Sequence, residues 1–159
     1  MKKILLLTFA ALLLASCGNK VILDQSSQFK DDIWLRFQPE SFSASVKNID
    51  DCYNFTVTLD VDTSRYHEAG LPLMIEVKSP EGETRTIFST ILLRNHEGNI
   101  LGEFVDGHLR VSQMVRQFYF FNIPGEHTIS LSQRTSKYEI RGIHNLNFRI
   151  EKAKLVYPE

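Results

Sequence analysis

The side chains able to do chemistry in this 159-residue chain are few and scattered. Its five histidines are His67, His96, His108, His127 and His144. None lies three to five residues from another, and no His-Glu-x-x-His occurs, so no helix-borne zinc site is written here. His127 falls on the apolar side of an alternating segment and reads as a packed ring. The other four fall near turns and read as solvated. The main carboxylate groupings are Asp50-Asp51 and Asp60-x-Asp62. Calcium needs several oxygens converging from loops. Asp60 and Asp62 instead read as the solvated, charged end of a strand, which also discourages edge pairing. No metal ligand is predicted. Serine lacks a Gly-x-Ser-x-Gly elbow, and there is no phosphate-cradling or dinucleotide loop. The chain is not expected to be an enzyme, and no catalytic residue is assigned.

The two cysteines have different prospects. Cys52 sits at a strand edge and reads as a buried, inert thiol. Cys17 follows a basic start (Lys2, Lys3), an apolar run from Ile4 to Leu14, and then Ala15-Ser16. The first two parts are those of a secretory signal peptide. The run of eleven residues covers roughly 16 Å as a helix, half of the ~30 Å hydrocarbon core, so it is too short to span. The small residues before Cys17 resemble the lipobox of bacterial lipoproteins. That resemblance implies cleavage after Ser16 and acylation of Cys17 on its sulfur and its new amino group. Residues 1–16 are then a signal peptide, and the covalent lipid on Cys17 is the only non-protein group expected. Each buried CH₂ contributes about 0.8 kcal/mol, and stable anchoring needs two signals, which a multiply acylated cysteine supplies.

With one thiol committed to lipid, no internal disulfide and no cysteine-based zinc site is possible. Roughly 140 residues remain, the size of one domain. The full sequence carries a net charge of −1, and the leader removes two lysines and no acid. A weakly acidic surface of mixed sign argues against nucleic acid as a partner. No polybasic patch is present for anionic lipid, so the membrane contact is the anchor itself.

The elements that must position these residues are strands. Residues 17–30 read as a lipidated tether, with Val21, Ile22 and Leu23 open to docking, and 31–159 as the folded domain. Phe42, Ala44 and Val46 alternate with polar residues, as do Tyr53, Phe55, Val57, Leu59 and Val61. Leu71 to Val77 alternates and ends at Pro80-Glu81-Gly82, a turn signal. Further strands are predicted over Thr84–Leu93, Val115–Ile123, Glu126–Gln133 and Ile143–Lys152. Residues 100–114 read as a long loop with one helical turn near Val111–Met114. Clean two-residue alternation at short spacing indicates antiparallel sheets with one wet face. The predicted fold is all-β, a two-sheet antiparallel β-sandwich, jelly-roll-like or immunoglobulin-like. The absence of a Cys…Trp…Cys framework disfavours a true immunoglobulin domain.

The sharpest feature inside the domain is the row Phe118-Tyr119-Phe120-Phe121. On a strand, Phe118 and Phe120 face one way and Tyr119 and Phe121 the other. The row either offers an exposed platform for a sugar ring or partner protein, or is buried on both faces. Burial is the commoner fate of such a row. Trp34, near Phe37, reads as pinning the leading segment to the domain, with stacking on a sugar as the lesser alternative. Trp34, Phe118 and Phe120 are the candidate ligand or partner surface.

Turn and strand signatures near the end carry a resemblance. Phe121-x-x-Pro124-Gly125-x-His127-Thr128-Ile129, then Gln133-Arg134, then Gly142-Ile143-x-x-Leu146-x-Phe148-Arg149-Ile150-Glu151-Lys152 resemble the closing strands of the GldH family of gliding-motility lipoproteins of Bacteroidota. Pro80-Glu81-Gly82 matches a Pro-Asp-Gly turn of that family. The chain departs from it over Asn99–Gly107, where the family's Trp is missing and glycines are fewer, and at His127, where an aromatic is usual. The resemblance implies a membrane-anchored, non-catalytic accessory lipoprotein linked to gliding and its secretion machinery, with envelope proteins as partners. The alternative is a carbohydrate-binding sandwich. Surface-exported lipoproteins of that phylum carry acidic residues just after the lipidated cysteine. Gly18-Asn19-Lys20-Val21-Ile22 has none, so an outer-membrane anchor facing the periplasm is expected.

Overall fold

Alternating hydrophobicity resolves into eleven strands in a computed structural model that describes residues 20–154. They are β1 (Val21–Gln28), β2 (Ile33–Leu35), β3 (Glu40–Val46), β4 (Cys52–Val61), β5 (Gly70–Lys78), β6 (Thr84–Leu92), β7 (Glu103–Val105), β8 (His108–Phe120), β9 (Gly125–Gln133), β10 (Glu139–Arg141) and β11 (Ile143–Lys152). One sheet has the order β1-β11-β4-β8-β7 and the other β3-β9-β5-β6. A short pair, β2 with β10, stands apart. Every pairing is antiparallel. The two larger sheets do not close into a barrel, and the fold is an all-β sandwich.

The core lies between the inner faces, where the predicted apolar sets meet. Phe55, Val57, Leu59 and Val61 of β4 face Leu71, Leu73, Ile75 and Val77 of β5, all buried within the same cluster as Leu146, Phe148 and Ile150 of β11. Burying one such side chain is worth about 1.5–3 kcal/mol. Aromatic edges tie the layers: Phe42 of β3 lies 5.9 Å from Phe148, and Phe148 meets Phe55 edge-on at 5.6 Å. His127 is 1% exposed and packs edge-on against Phe121 at 4.6 Å. Cys52 is buried at the start of β4.

The structure corrects two expectations and decides between two readings of Trp34. The stretch read as a tether is structured from Val21 onward: β1 pairs with β11 along its length, and Leu23 enters the core. Its polar run, Asp24 to Gln28, hid an edge strand whose other face is wet. Residues 100–114 contain no helical turn. They form the β7–β8 hairpin, closed by Asp106-Gly107 with φ of 49° and 81°. Two left-handed residues in a row make the tight turn that matches strand twist, and Asp-Gly is its usual sequence. Trp34 packs the leading segment onto the domain, the first of its two readings, and is not available to a ligand. It is 1% exposed in β2, stacks on Phe29 at 4.8 Å and donates its Nε1–H to the Gln38 carbonyl at 3.2 Å.

Candidate functional site

Strand alternation that fills the core also sends a polar set outward from the five-stranded sheet. At one end of that face lies a polar cleft of about 640 Å³. Ser26 and Gln28 come from β1, Asp60 from β4, Val105 from β7, His108 and Arg110 from β8, His144 and Asn145 from β11, and Asp106 from the hairpin turn. Register brings them together, because Asp60 stands opposite both Arg110 and Asn145. The pairing slips between Ile143 and Asn145, so His144 occupies an irregularity of β11. Such irregularities re-aim a side chain out of the regular pleat.

Asp60 is not the solvated edge residue that its spacing suggested. It is 7% exposed, and Arg110 donates to both its oxygens, from Nε at 2.7 Å and Nη2 at 3.0 Å. Asn145 adds a longer bond at 3.4 Å. The guanidinium hydrogen bonds hold the Asp60 carboxyl below its ordinary range and outweigh burial, which pushes the other way. Asp62 also lies below its usual range, through hydrogen bonds from the Ser64 hydroxyl and amide.

Beside this pair three potential metal ligands converge. The rings of His108 and His144 stack with centroids 4.3 Å apart and planes within 16°. His144 Nδ1 is 2.8 Å from Asp32 Oδ1. Asp32 Oδ2 accepts from Arg65 Nη1 at 3.0 Å. Ligand atoms of Asp32, His108 and His144 all lie within 4.8 Å of one another. Asp32 comes from a 3-10 turn, Lys30–Asp32, in which both Asp31 (φ 57°) and Asp32 (φ 56°) are left-handed. Sequence reading missed this cluster, because the three residues lie in separate segments and no local spacing joins them. The Asp106-Gly107 turn was the one readable signal, since it fixes where His108 begins its strand.

The aromatic row gives the second surface. Tyr119 and Phe121 are buried, whereas Phe118 and Phe120 are 47% and 49% exposed. The row is therefore not buried on both faces: Phe118 and Phe120 stay exposed. Irregular pairing between β4 and β8 near Phe55 leaves Phe118 with φ of 49°, and its amide donates to Asn54 Oδ1 at 3.1 Å. Cys17, the predicted lipid site, and the signal peptide lie outside the described residues. No helix among the described residues is long and apolar enough to cross a membrane.

The described residues thus form an antiparallel β-sandwich domain with a polar outer cleft and two exposed phenylalanines. The GldH lipoprotein family matches residues 21–150, which is most of the chain, and the protein belongs to that family. It is thus a lipoprotein of the gliding-motility type, located at the membrane of the cell envelope. No curated protein matches the sequence.

Proposed function

We propose that the protein is a non-catalytic accessory component of the gliding and secretion apparatus, held by lipid on Cys17 in the outer membrane and facing the periplasm. The family match over residues 21–150 carries this reading. Envelope proteins of that machinery are the partners, and Phe118 and Phe120 are the contact surface. An exposed aromatic pair on a sheet supplies large, rigid contact area at low entropic cost. Crosslinking in intact cells, followed by recovery of the protein with its neighbours, tests the reading. The Phe118→Ser/Phe120→Ser double variant is expected to keep the fold and lose the crosslinked partner. Unchanged crosslinking would remove these rings from the contact. A deletion strain with normal motility, secretion and envelope composition would sink the wider role.

The alternative is a sugar-binding sandwich. The exposed Phe118 and Phe120 favour it, since faces of this kind stack on sugar rings, and burial of Trp34 counts against it. Binding on a glycan array that disappears in the same double variant would establish it.

A further inference from the structure

We propose that Asp32, His108 and His144 form a binding site for a divalent transition-metal ion of the zinc class, with coordination left open toward the cleft. Two imidazoles and one carboxylate are the ligand types such ions select, whereas calcium and magnesium take oxygen. Three protein ligands with a fourth position free is a recurrent zinc arrangement. The ligand atoms are grouped within 4.8 Å. A tetrahedral zinc with ~2.0–2.1 Å bonds needs them about 3.4 Å apart. The difference is within reach of ring rotation, because the His144 side chain is 41% exposed and His108 is only partly buried. His108 Nδ1 lies 3.2 Å from the Asp106 carbonyl, which steers Nε2 away from that turn. A histidine held at one nitrogen by a carbonyl and free at the other is oriented for coordination.

The charges around the cluster permit a cation. Arg110 is engaged by Asp60, and Arg65 by Asp32, while Asp106 lines the same cleft. The three carboxylates outnumber the two guanidinium groups. A bound ion would join three separate pieces of chain: the turn after β1, the β7–β8 hairpin and β11. It would therefore clasp the turn that follows β1 to the hairpin and β11, at the end of β1 away from Val21, while presenting an open position to a neighbour's donor atom.

The test is zinc uptake by the full chain in detergent, carrying no histidine tag, in competition with a chromophoric chelator. One zinc ion per chain is expected to bind with micromolar or tighter affinity and to raise the thermal midpoint. A large excess of calcium is expected not to displace it. His108→Ala and Asp32→Asn should each weaken binding at least tenfold, a loss typical of damage to a metal site. His96→Ala, at a ring 89% exposed and outside the grouped ligands, should bind as the wild type does. Absence of saturable zinc uptake by the wild type would overturn the proposal. So would uptake that survives both His108→Ala and Asp32→Asn.

Discussion

Asp60 and Tyr66 show how a single side chain ties stability to pH. Arg110 lowers the folded-state pKa of Asp60, so its ion pair contributes above the unfolded value near 3.8. That contribution is lost as pH falls through the folded value, because the unfolded chain takes up the proton first. Asp60→Asn is expected to be less stable than the wild type at neutral pH, and to lose less on acidification from about pH 5 to 2. Urea midpoints across that range check it; parallel curves would refute the coupling. Tyr66 works at the other end. Burial raises its phenol from 10.0 to about 12, and its hydroxyl donates to the Gly70 carbonyl at 3.0 Å. A raised folded-state pKa contributes fully below the unfolded value, and its contribution fades as pH rises from about 10 to 12. Absorbance titration at a tyrosinate wavelength is expected to show a late-ionising phenol that Tyr66→Phe removes. A Tyr66→Phe curve superimposable on that of the wild type would contradict this.

Among the elements, turns decide where the sheets begin and end, and glycine decides two of the turns differently. Gly142, between β10 and β11, has φ of +93°, and a Cβ there would lie 2.8 Å from the Asp62 carbonyl and 2.9 Å from the Tyr66 amide. Both neighbours are backbone, so they cannot step aside without moving the β4 end. Gly82 has φ of +92° but nothing within 4 Å of a Cβ. Gly82→Ala is expected to cost about 1 kcal/mol, the left-handed penalty alone. Gly142→Ala combines strain and collision, at about 3 kcal/mol or more. Denaturant unfolding of the two variants measures the difference, and equal costs would show that the Gly142 contacts relax freely. The same elements explain what was readable. Two-residue alternation located β3, β4, β5, β6, β9 and β11, because each has one face in the core. β2 and β10, at three residues each, are too short to show a period. β8 was cut short at its start, because Gly102 and Gly107 marked residues 100–114 as loop, although Leu109 to Met114 pair with β4. The cleft was illegible for a different reason: register of β1, β11, β4 and β8 assembles it, and register is a property of pairs of strands. The aromatic pair was legible as a pattern, but whether a neighbouring segment covered its outer rings was not.

For the whole molecule, Cys17 and the sandwich are separated by very little chain. β1 begins at Val21, four positions after Cys17, and is bonded along β11 rather than hanging free. Four residues reach at most about 14 Å when fully extended. With Cys17 acylated as proposed, the β1 end of the sandwich must therefore lie against the headgroups, and its freedom to tumble is small. Cys17→Ser is expected to leave the thermal midpoint unchanged, since the core begins at Leu23, and to move the protein from the membrane fraction to the soluble one. Inserting a long Gly-Ser segment between Lys20 and Val21 should keep membrane attachment and the fold. It should lengthen the reach roughly as the square root of its residue number. If partner binding depends on the sandwich being held close to the lipid surface, the insertion will abolish crosslinking that Phe118 and Phe120 support. If the insertion leaves crosslinking intact, the anchor serves only to keep the protein in the envelope, and the aromatic surface alone selects the partner. Fractionation and crosslinking of the two variants side by side separate attachment from positioning. A Cys17→Ser protein that stays with the membrane would show that something other than the lipid holds it there.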